Sequence, residues 1–191
     1  MSGLSPSLIL SHVFGARSDV PNNVHFVDEN IVLYPAGHCL ILHDTETKSQ
    51  RFIYGSKASV GGRGNLMEVS LSGLSSVTGG APGQASLART EITAVAVSPN
   101  KEHIAVAERG ERASILIYDA KTLKKKKILS TSEAASKEYV SLAFSPDSKY
   151  LLSQGGSPNF SLINWAWDQV KPLDSVRTEI RVRFLPSVLL M

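Results

Sequence analysis

Residues 92–100 read ITAVAVSPN and residues 139–147 read YVSLAFSPD, and the two segments align without a gap at a spacing of 47 residues. Each is an alternating run of the β type that ends in Ser-Pro followed by Asn or Asp. Proline removes an N–H from the strand ladder, and Asn or Asp favours a turn. Both segments therefore predict a strand that ends in a tight turn.

The same spacing relates two more pairs of segments and a weaker fourth strand. The matched pairs are HIAVA at 103–107 with YLLSQ at 150–154, ILIY at 115–118 with LINW at 162–165, and residues 122–129 with 170–173. A third copy lies upstream, where His43-Asp44 corresponds to Tyr118-Asp119 but 75 residues earlier. Its four strands are expected at residues 25–28, 31–34, 40–44 and 49–53. Four short strands per unit, with a period slightly above the ~40–45 residues of WD40 repeats, predict propeller blades.

The predicted fold is therefore all-β, an incomplete WD40-type β-propeller of about three four-stranded blades with a long disordered insertion. The predicted segments are blade one at 12–54, the insertion at 55–88, blade two at 89–130, blade three at 137–173 and an atypical tail at 174–191. The insertion contains 8 glycines and 7 serines among 34 residues, a composition too polar to order itself. Another β-solenoid or a β-sandwich is the alternative interpretation of the repeat.

Three blades are too few to close a ring, which typically needs about four to eight. No first strand with a Ser-Pro turn is found near position 186, where a fourth blade would begin. The sequence therefore favours a truncated or alternatively spliced product, or an imperfect gene model. The alternative is that the tail pairs as an extra strand within blade three.

The composition is that of a globular protein, with 42% hydrophobic and 19% charged residues. The net charge of +3 is mildly basic and does not by itself indicate nucleic acid. One cysteine, Cys39, excludes an internal disulfide and favours a reducing compartment. No secretory signal is recognised, and no apolar stretch approaches the ~18–20 residues that span a bilayer. We expect an intracellular protein with no membrane or nucleic-acid partner.

Residues with catalytic or metal-binding chemistry are scattered. Cys39 and His43 share a strand face but lie about 13 Å apart at ~3.3 Å per residue, too far to bind one zinc ion. The tract at 61–64, GGRG, lacks the Gly-Lys-Ser/Thr end of a phosphate-binding loop. No carboxylates form a visible acid/base pair, and no serine lies in a Gly-x-Ser-x-Gly elbow. The sequence predicts no catalytic residue, metal, cofactor or small-molecule substrate, and hence no enzyme.

Four consecutive lysines, Lys124, Lys125, Lys126 and Lys127, form the densest run of charge. One interpretation is a solvated blade edge, where lysines discourage pairing with a foreign strand. The other is electrostatic docking on an acidic partner, in which each exposed contact is weak and screened by salt.

Several short segments of the chain are more specific than the repeat itself. They are HVFG at 12–15, NN at 22–23, DE at 28–29, VLYPAG at 32–37, AVAVSPN at 94–100, AVAERGE at 105–111, IYD at 117–119 and WAW at 165–167. Together they resemble the start of a ciliary WD-repeat family, that of cilia- and flagella-associated protein 57, also called WD repeat-containing protein 65. The resemblance covers about residues 12–171 without the insertion. Its N-terminal segments indicate the N-terminal portion of the family's longer chains.

The resemblance implies a role in motile cilia. In this family, paired N-terminal propellers and a long coiled coil help to anchor inner dynein arms and regulatory complexes on doublet microtubules. The implied function is a non-catalytic scaffold in the cytoplasm and ciliary axoneme, with tubulin or components of dynein arms and regulatory complexes as protein partners. Tubulin's acidic surface would suit the lysine run. The alternative is a general intracellular WD40 protein–protein adaptor unrelated to cilia. Unlike the family pattern, this sequence shows neither a second propeller nor a coiled coil. Its Gly/Ser insertion is also not expected of the family.

Overall fold

The computed structural model describes residues 11–56, 89–131 and 136–178. These residues form three four-stranded antiparallel sheets in which each strand pairs with the next along the chain. The first sheet contains β1 (His25–Asp28), β2 (Ile31–Ala36), β3 (Cys39–Asp44) and β4 (Gln50–Tyr54). The second contains β5 (Ile92–Val97), β6 (His103–Glu108), β7 (Ser114–Asp119) and β8 (Lys125–Leu129). The third contains β9 (Tyr139–Phe144), β10 (Leu151–Gly155), β11 (Ser161–Ala166) and β12 (Lys171–Arg177), with a 3-10 turn at Trp167–Gln169.

This arrangement confirms the prediction of an all-β, incomplete propeller of three four-stranded blades. The innermost strand of each sheet contacts that of the next, β1 against β5 and β5 against β9. The predicted insertion is described only at Gly55 and Ser56, and the predicted tail only at residues 174–178. Within the described ranges, no helix is long and apolar enough to cross a membrane.

The fourth strands start later than the repeat predicts. In the second sheet, Asp119 Oδ1 accepts hydrogen bonds from the backbone N–H of Thr122 at 2.8 Å and of Lys121 at 3.1 Å. These bonds hold residues 119–122 in a turn, so the strand begins at Lys125. In the third sheet the strand begins at Lys171 and continues to Arg177, beyond the residue at which the weak sequence pattern ends.

The 47-residue repeat extends to irregularities of the backbone. A β-bulge leaves Thr93 unpaired in β5, and the equivalent bulge in β9 leaves Val140 unpaired. A second pair of bulges leaves Lys126 unpaired in β8 and Leu173 in β12. Because bulges re-aim side chains and increase strand twist, their recurrence shows that the two blades share a curved backbone and not only a hydrophobic pattern.

The Ser-Pro turns also repeat in their hydrogen bonds. Ser98 N donates to His103 O at 2.9 Å, and Ser98 Oγ contacts Asn100 Oδ1 at 2.6 Å. The later turn has Ser145 N donating to Tyr150 O at 3.0 Å and Ser145 Oγ donating to Asp147 Oδ1 at 2.6 Å. The serine hydroxyl and the Asx side chain thus close the turn in both blades, as expected from the sequence.

The second sheet lies between the other two and buries both of its faces. One face packs against the first sheet through Val95, Ile104, Val106, Leu116 and Tyr118. The opposite face packs against the third sheet through Ala94, Ala96, Ala105, Ala107, Ile115 and Ile117. The bulge at Thr93 breaks the alternation, so that Ile92 joins the first group although Ala94 joins the second.

Small residues of the second sheet face large residues of the third. Four alanines of β5 and β6 share a core with Tyr139, Phe144 and Trp165. The Trp165 indole is completely buried and donates from Nε1 to Ser153 Oγ at 2.8 Å. At the innermost strands, Thr93 Oγ1 donates to Tyr139 O at 2.7 Å. Packing and a buried hydrogen bond therefore join the two blades.

Replacing Ser153 tests the buried indole contact. We expect Ser153→Ala to lower the free energy of unfolding by about 1–3 kcal/mol, because it leaves the Trp165 N–H without an acceptor in a dry core. Urea denaturation measures the change. Ser175→Ala, at an exposed position of β12, is the control and should change stability by less than about 0.5 kcal/mol. Equal effects of the two substitutions would contradict the expectation.

The turn before each fourth strand contains one residue with positive φ. These are Lys48 at 58°, Leu123 at 57° and Val170 at 56°, which occupy equivalent positions of the three sheets. A β-branched side chain is costly in this left-handed conformation, whereas asparagine tolerates it.

We therefore expect Val170→Asn to raise the free energy of unfolding by about 0.5–1 kcal/mol, since Val170 is exposed and little packing is lost. Thermal unfolding followed by circular dichroism measures the shift. Val176→Asn serves as a control at an exposed strand position and should give no gain, because asparagine is disfavoured in strands. A gain from both variants, or from neither, would be inconsistent with strain at Val170.

Candidate functional site

The predicted lysine run lies at the outer edge of the second sheet. Lys124 is in the turn between β7 and β8, and Lys125, Lys126 and Lys127 begin β8, the outermost strand. We call these four residues the lysine edge. Lys124, Lys125 and Lys126 are exposed, and Lys127 is partly buried.

The β8 bulge gives Lys126 a role that its neighbours lack. Lys125 pairs with Tyr118 and Lys127 with Ile117, so Lys126 is the extra residue. Its Nζ lies 3.0 Å from Asp119 Oδ2 and 3.3 Å from His103 Nε2. The Thr122 backbone N–H and the Lys126 ammonium hold the pKa of the Asp119 carboxyl well below its usual range. Lys126 therefore stabilises the turn in addition to belonging to the lysine edge.

The remaining charge of the lysine edge faces solvent. Among the described residues, Lys124 and Lys125 have no ion pair with an acidic side chain. Arg51 Nη1 of the first sheet donates to Lys121 O at 2.8 Å, which brings a further cation and the exposed Lys121 beside the same turn. The arrangement can bind an acidic surface, but it contains no group that would activate a substrate.

His103 joins the lysine edge to the third sheet. Its ring lies 4.6 Å from the Trp167 ring, centroid to centroid, and Trp167 Nε1 donates to Ser148 O at 2.9 Å. Burial lowers the pKa of His103, and the neighbouring Lys126 ammonium lowers it further. Trp165 lies in β11 within the core, whereas Trp167 lies in the 3-10 turn and packs at the edge of the core.

A charged network that the sequence analysis did not recognise lies at the opposite end of the sheets. Arg17 Nη2 contacts Glu91 Oε1 at 2.7 Å, and Arg109 Nη1 contacts Glu91 Oε2 at 2.8 Å. Arg109 also pairs with Glu138, and Arg17 with Asp19. The network connects the N-terminal segment to the starts of β5 and β9, and so ties three blades together.

One signal in the sequence could have revealed this network. Glu91 and Glu138 are separated by 47 residues, and each lies directly before the first strand of its sheet. Each of the two carboxylates pairs with an arginine of the preceding blade, Glu91 with Arg17 and Glu138 with Arg109. The partners, Arg17 and Arg109, do not share this spacing, and only the folded chain identifies them.

Cys39 and His43, the two residues weighed above as metal ligands, lie apart in the structure. Cys39 and His43 occupy the two ends of the paired part of β3, and His38 lies in the turn before it. Within the residues that the structure describes, no group of three or more His, Cys, Asp or Glu side chains is placed to hold a metal ion.

Comparison with known proteins identifies relatives along nearly the whole chain. Cilia- and flagella-associated protein 57 of Mus musculus is 31% identical over 171 residues, which cover 88% of this chain. Cilia- and flagella-associated protein 57 C of Tetrahymena thermophila is 27% identical, again over 88% of the chain. Cilia- and flagella-associated protein 44 of Mus musculus is 28% identical over 87%. No protein-family model matches the chain.

The chain belongs to the cilia- and flagella-associated protein 57 family. This confirms the resemblance drawn from its sequence segments. The chain spans only 11% of the length of each of the first two relatives and 7% of the third. The three blades therefore correspond to a small part of the longer proteins of the cilia- and flagella-associated protein 57 family.

The environment of His103 predicts a pH-dependent stability in this member of the family. Because the folded state lowers the pKa of His103 below its ordinary 6.5, protonation favours the unfolded chain. The stability that neutral His103 contributes should be fully present above about pH 6.5, and it should decrease as the pH falls towards the lowered pKa of the folded state. We expect the free energy of unfolding of His103→Gln to decrease less between pH 7.5 and pH 5 than that of the parent, measured by urea denaturation at each pH.

Lys126→Gln provides a second measurement, since removal of the like charge makes protonation of His103 less unfavourable. It should also reduce the loss of stability at low pH, while lowering stability slightly at pH 7.5 through the lost Asp119 contact. His25 is also buried with a lowered pKa, so part of the pH dependence should remain in both variants. A pH profile of His103→Gln identical to that of the parent would exclude the contribution of His103.

Proposed function

We propose that this chain acts as a non-catalytic WD-repeat scaffold in the cytoplasm and ciliary axoneme. In the finer form of the proposal, it helps to anchor inner dynein arms and regulatory complexes on doublet microtubules. Membership of a family whose named relatives are cilia- and flagella-associated proteins carries the proposal. The fold supports it, because stacked blades leave turns and outer strands as rigid surfaces for other proteins.

The lysine edge supplies the contact with an acidic protein surface, such as that of tubulin. Lys124 and Lys125 are exposed and lack acidic partners among the described residues, and Lys121 lies in the same turn. Lys126 belongs to the same edge and has an exposed side chain, although its ammonium also contacts Asp119. Each exposed lysine contributes little, roughly 0.2–1 kcal/mol, so the contact acts by summing several charges and weakens with salt.

Co-sedimentation with doublet microtubules from detergent-extracted axonemes tests both the axonemal scaffold and the role of the lysine edge. We expect the chain to bind, and Lys124→Gln combined with Lys125→Gln to weaken binding about three- to tenfold at low salt. The difference should shrink at high salt. A matched control combines Lys48→Gln with Lys171→Gln, which removes two exposed lysines from the first and third sheets and should leave binding unchanged.

The possible results distinguish failure of the lysine edge from failure of the axonemal scaffold. Equal binding of both double variants would exclude the lysine edge and leave the axonemal scaffold in place. No binding to doublets, together with a pull-down dominated by ubiquitin-ligase or RNA-processing assemblies, would instead indicate a general WD40 adaptor.

A further inference from the structure

A groove of about 530 Å³ lies on the face of the first sheet that is turned away from the second sheet. Its floor contains Ala36, Cys39 and Tyr54, which are paired across β2, β3 and β4 and therefore share one face. The neighbouring row, which includes Leu40 and Ile53, points the other way into the core with the second sheet. The groove is thus outside the packed interior.

The N-terminal segment forms the wall of the groove. Val13 N donates to Gln50 Oε1 at 2.7 Å, and Gln50 Nε2 donates to Val13 O at 3.2 Å. At the other end, Arg17 N donates to Pro35 O at 2.9 Å. Residues 13–17 are therefore held at both ends over the sheet, with Phe14 between them and 91% exposed. Such an exposed aromatic ring beside a groove offers a large apolar contact for a partner.

Arg89 gives the groove a positive charge. Its guanidinium carbon lies 4.7 Å from the centre of the Tyr54 ring, and Nη1 donates to Gly55 O at 3.0 Å. Within the described ranges, Arg89 has no carboxylate partner, and no Asp or Glu lines the groove. Arg17 also lines it but is already paired with Asp19 and Glu91. Arg89 is therefore the cation of the groove that lacks a counter-charge.

We propose that this groove binds an extended peptide segment of a partner protein in which an acidic residue adjoins an aromatic residue. The carboxylate pairs with the fixed guanidinium of Arg89, whose planar fork suits a bidentate contact. The aromatic side chain packs between Phe14 and Tyr54, as aromatic residues do at the centres of protein interfaces. The site is separate from the lysine edge, which lies on a different sheet.

The single cysteine of the chain provides the readout. Cys39 is partly buried and lines the groove, so an occupied groove should slow its alkylation by iodoacetamide. The probe is the capped peptide Gly-Glu-Phe-Glu-Gly, and its counterparts are Gly-Gln-Phe-Gln-Gly and Gly-Glu-Ala-Glu-Gly. We expect protection of Cys39 by the first peptide in the full chain, and protection at least about tenfold weaker with either counterpart.

Variants identify the groups that bind. Arg89→Gln should weaken the protection about tenfold, and Arg89→Lys should have an intermediate effect because it keeps the charge but loses the fork. Phe14→Ala should weaken it similarly without affecting folding, since its ring is exposed. Arg112→Gln, an exposed arginine outside the groove at the same end of the sheets, should have no effect. Unchanged circular dichroism spectra exclude loss of the fold.

Three results would overturn the proposal. One is absence of protection by the acidic aromatic peptide at millimolar concentration. The second is equal protection by the glutamine peptide, which would remove the role of Arg89. The third is slower alkylation on raising the concentration of the chain alone, with self-association in sedimentation velocity, which would make a second copy the occupant.

Discussion

The second sheet of this protein is apolar on both faces, and a four-stranded sheet of that kind is buried only when a neighbour packs against each side. The second sheet satisfies this condition. Its alanine face receives the large residues of the third sheet, and its Val, Ile and Leu face receives the first sheet. This packing depends on the strand register, because a strand shifted by one residue would exchange the side chains of the two faces.

The β-bulges show how the chain satisfies packing and blade curvature together. At Thr93 the bulge moves the start of β5 to the opposite face, so that Ile92 still packs towards the first sheet. The displaced Thr93 hydroxyl then bonds to the innermost strand of the third sheet. At Lys126 the bulge directs a lysine towards Asp119, a contact that regular alternation would not produce. Irregular positions of the ladder therefore contribute contacts between blades and within turns.

Sequence reasoning succeeded where one residue type has one structural consequence. The Ser-Pro turns, the aromatic–Asp strand ends and the alternating strands were predicted because proline, Asx side chains and β-branched residues act locally. It failed where the consequence depends on distant partners. Nothing near Lys126 distinguishes it from Lys125, since the difference comes from a bulge and from His103, over 20 residues away. Likewise, the peptide groove combines residues 13–17 with Tyr54 and Arg89, which only the folded first sheet brings together.

The packing also determines where this protein can contact others. With both faces of the second sheet buried, its free surface is reduced to turns and to the outer strand, where the lysine edge lies. Among the residues that the structure describes, the first sheet keeps one outer face, and the N-terminal segment covers part of it and creates the groove. The groove is at the end of the β2–β3 turn, whereas Lys124 is in a β7–β8 turn, which an antiparallel meander places at the opposite end. Two surfaces with no shared residues should act independently, so their contributions to the binding of a large partner should add.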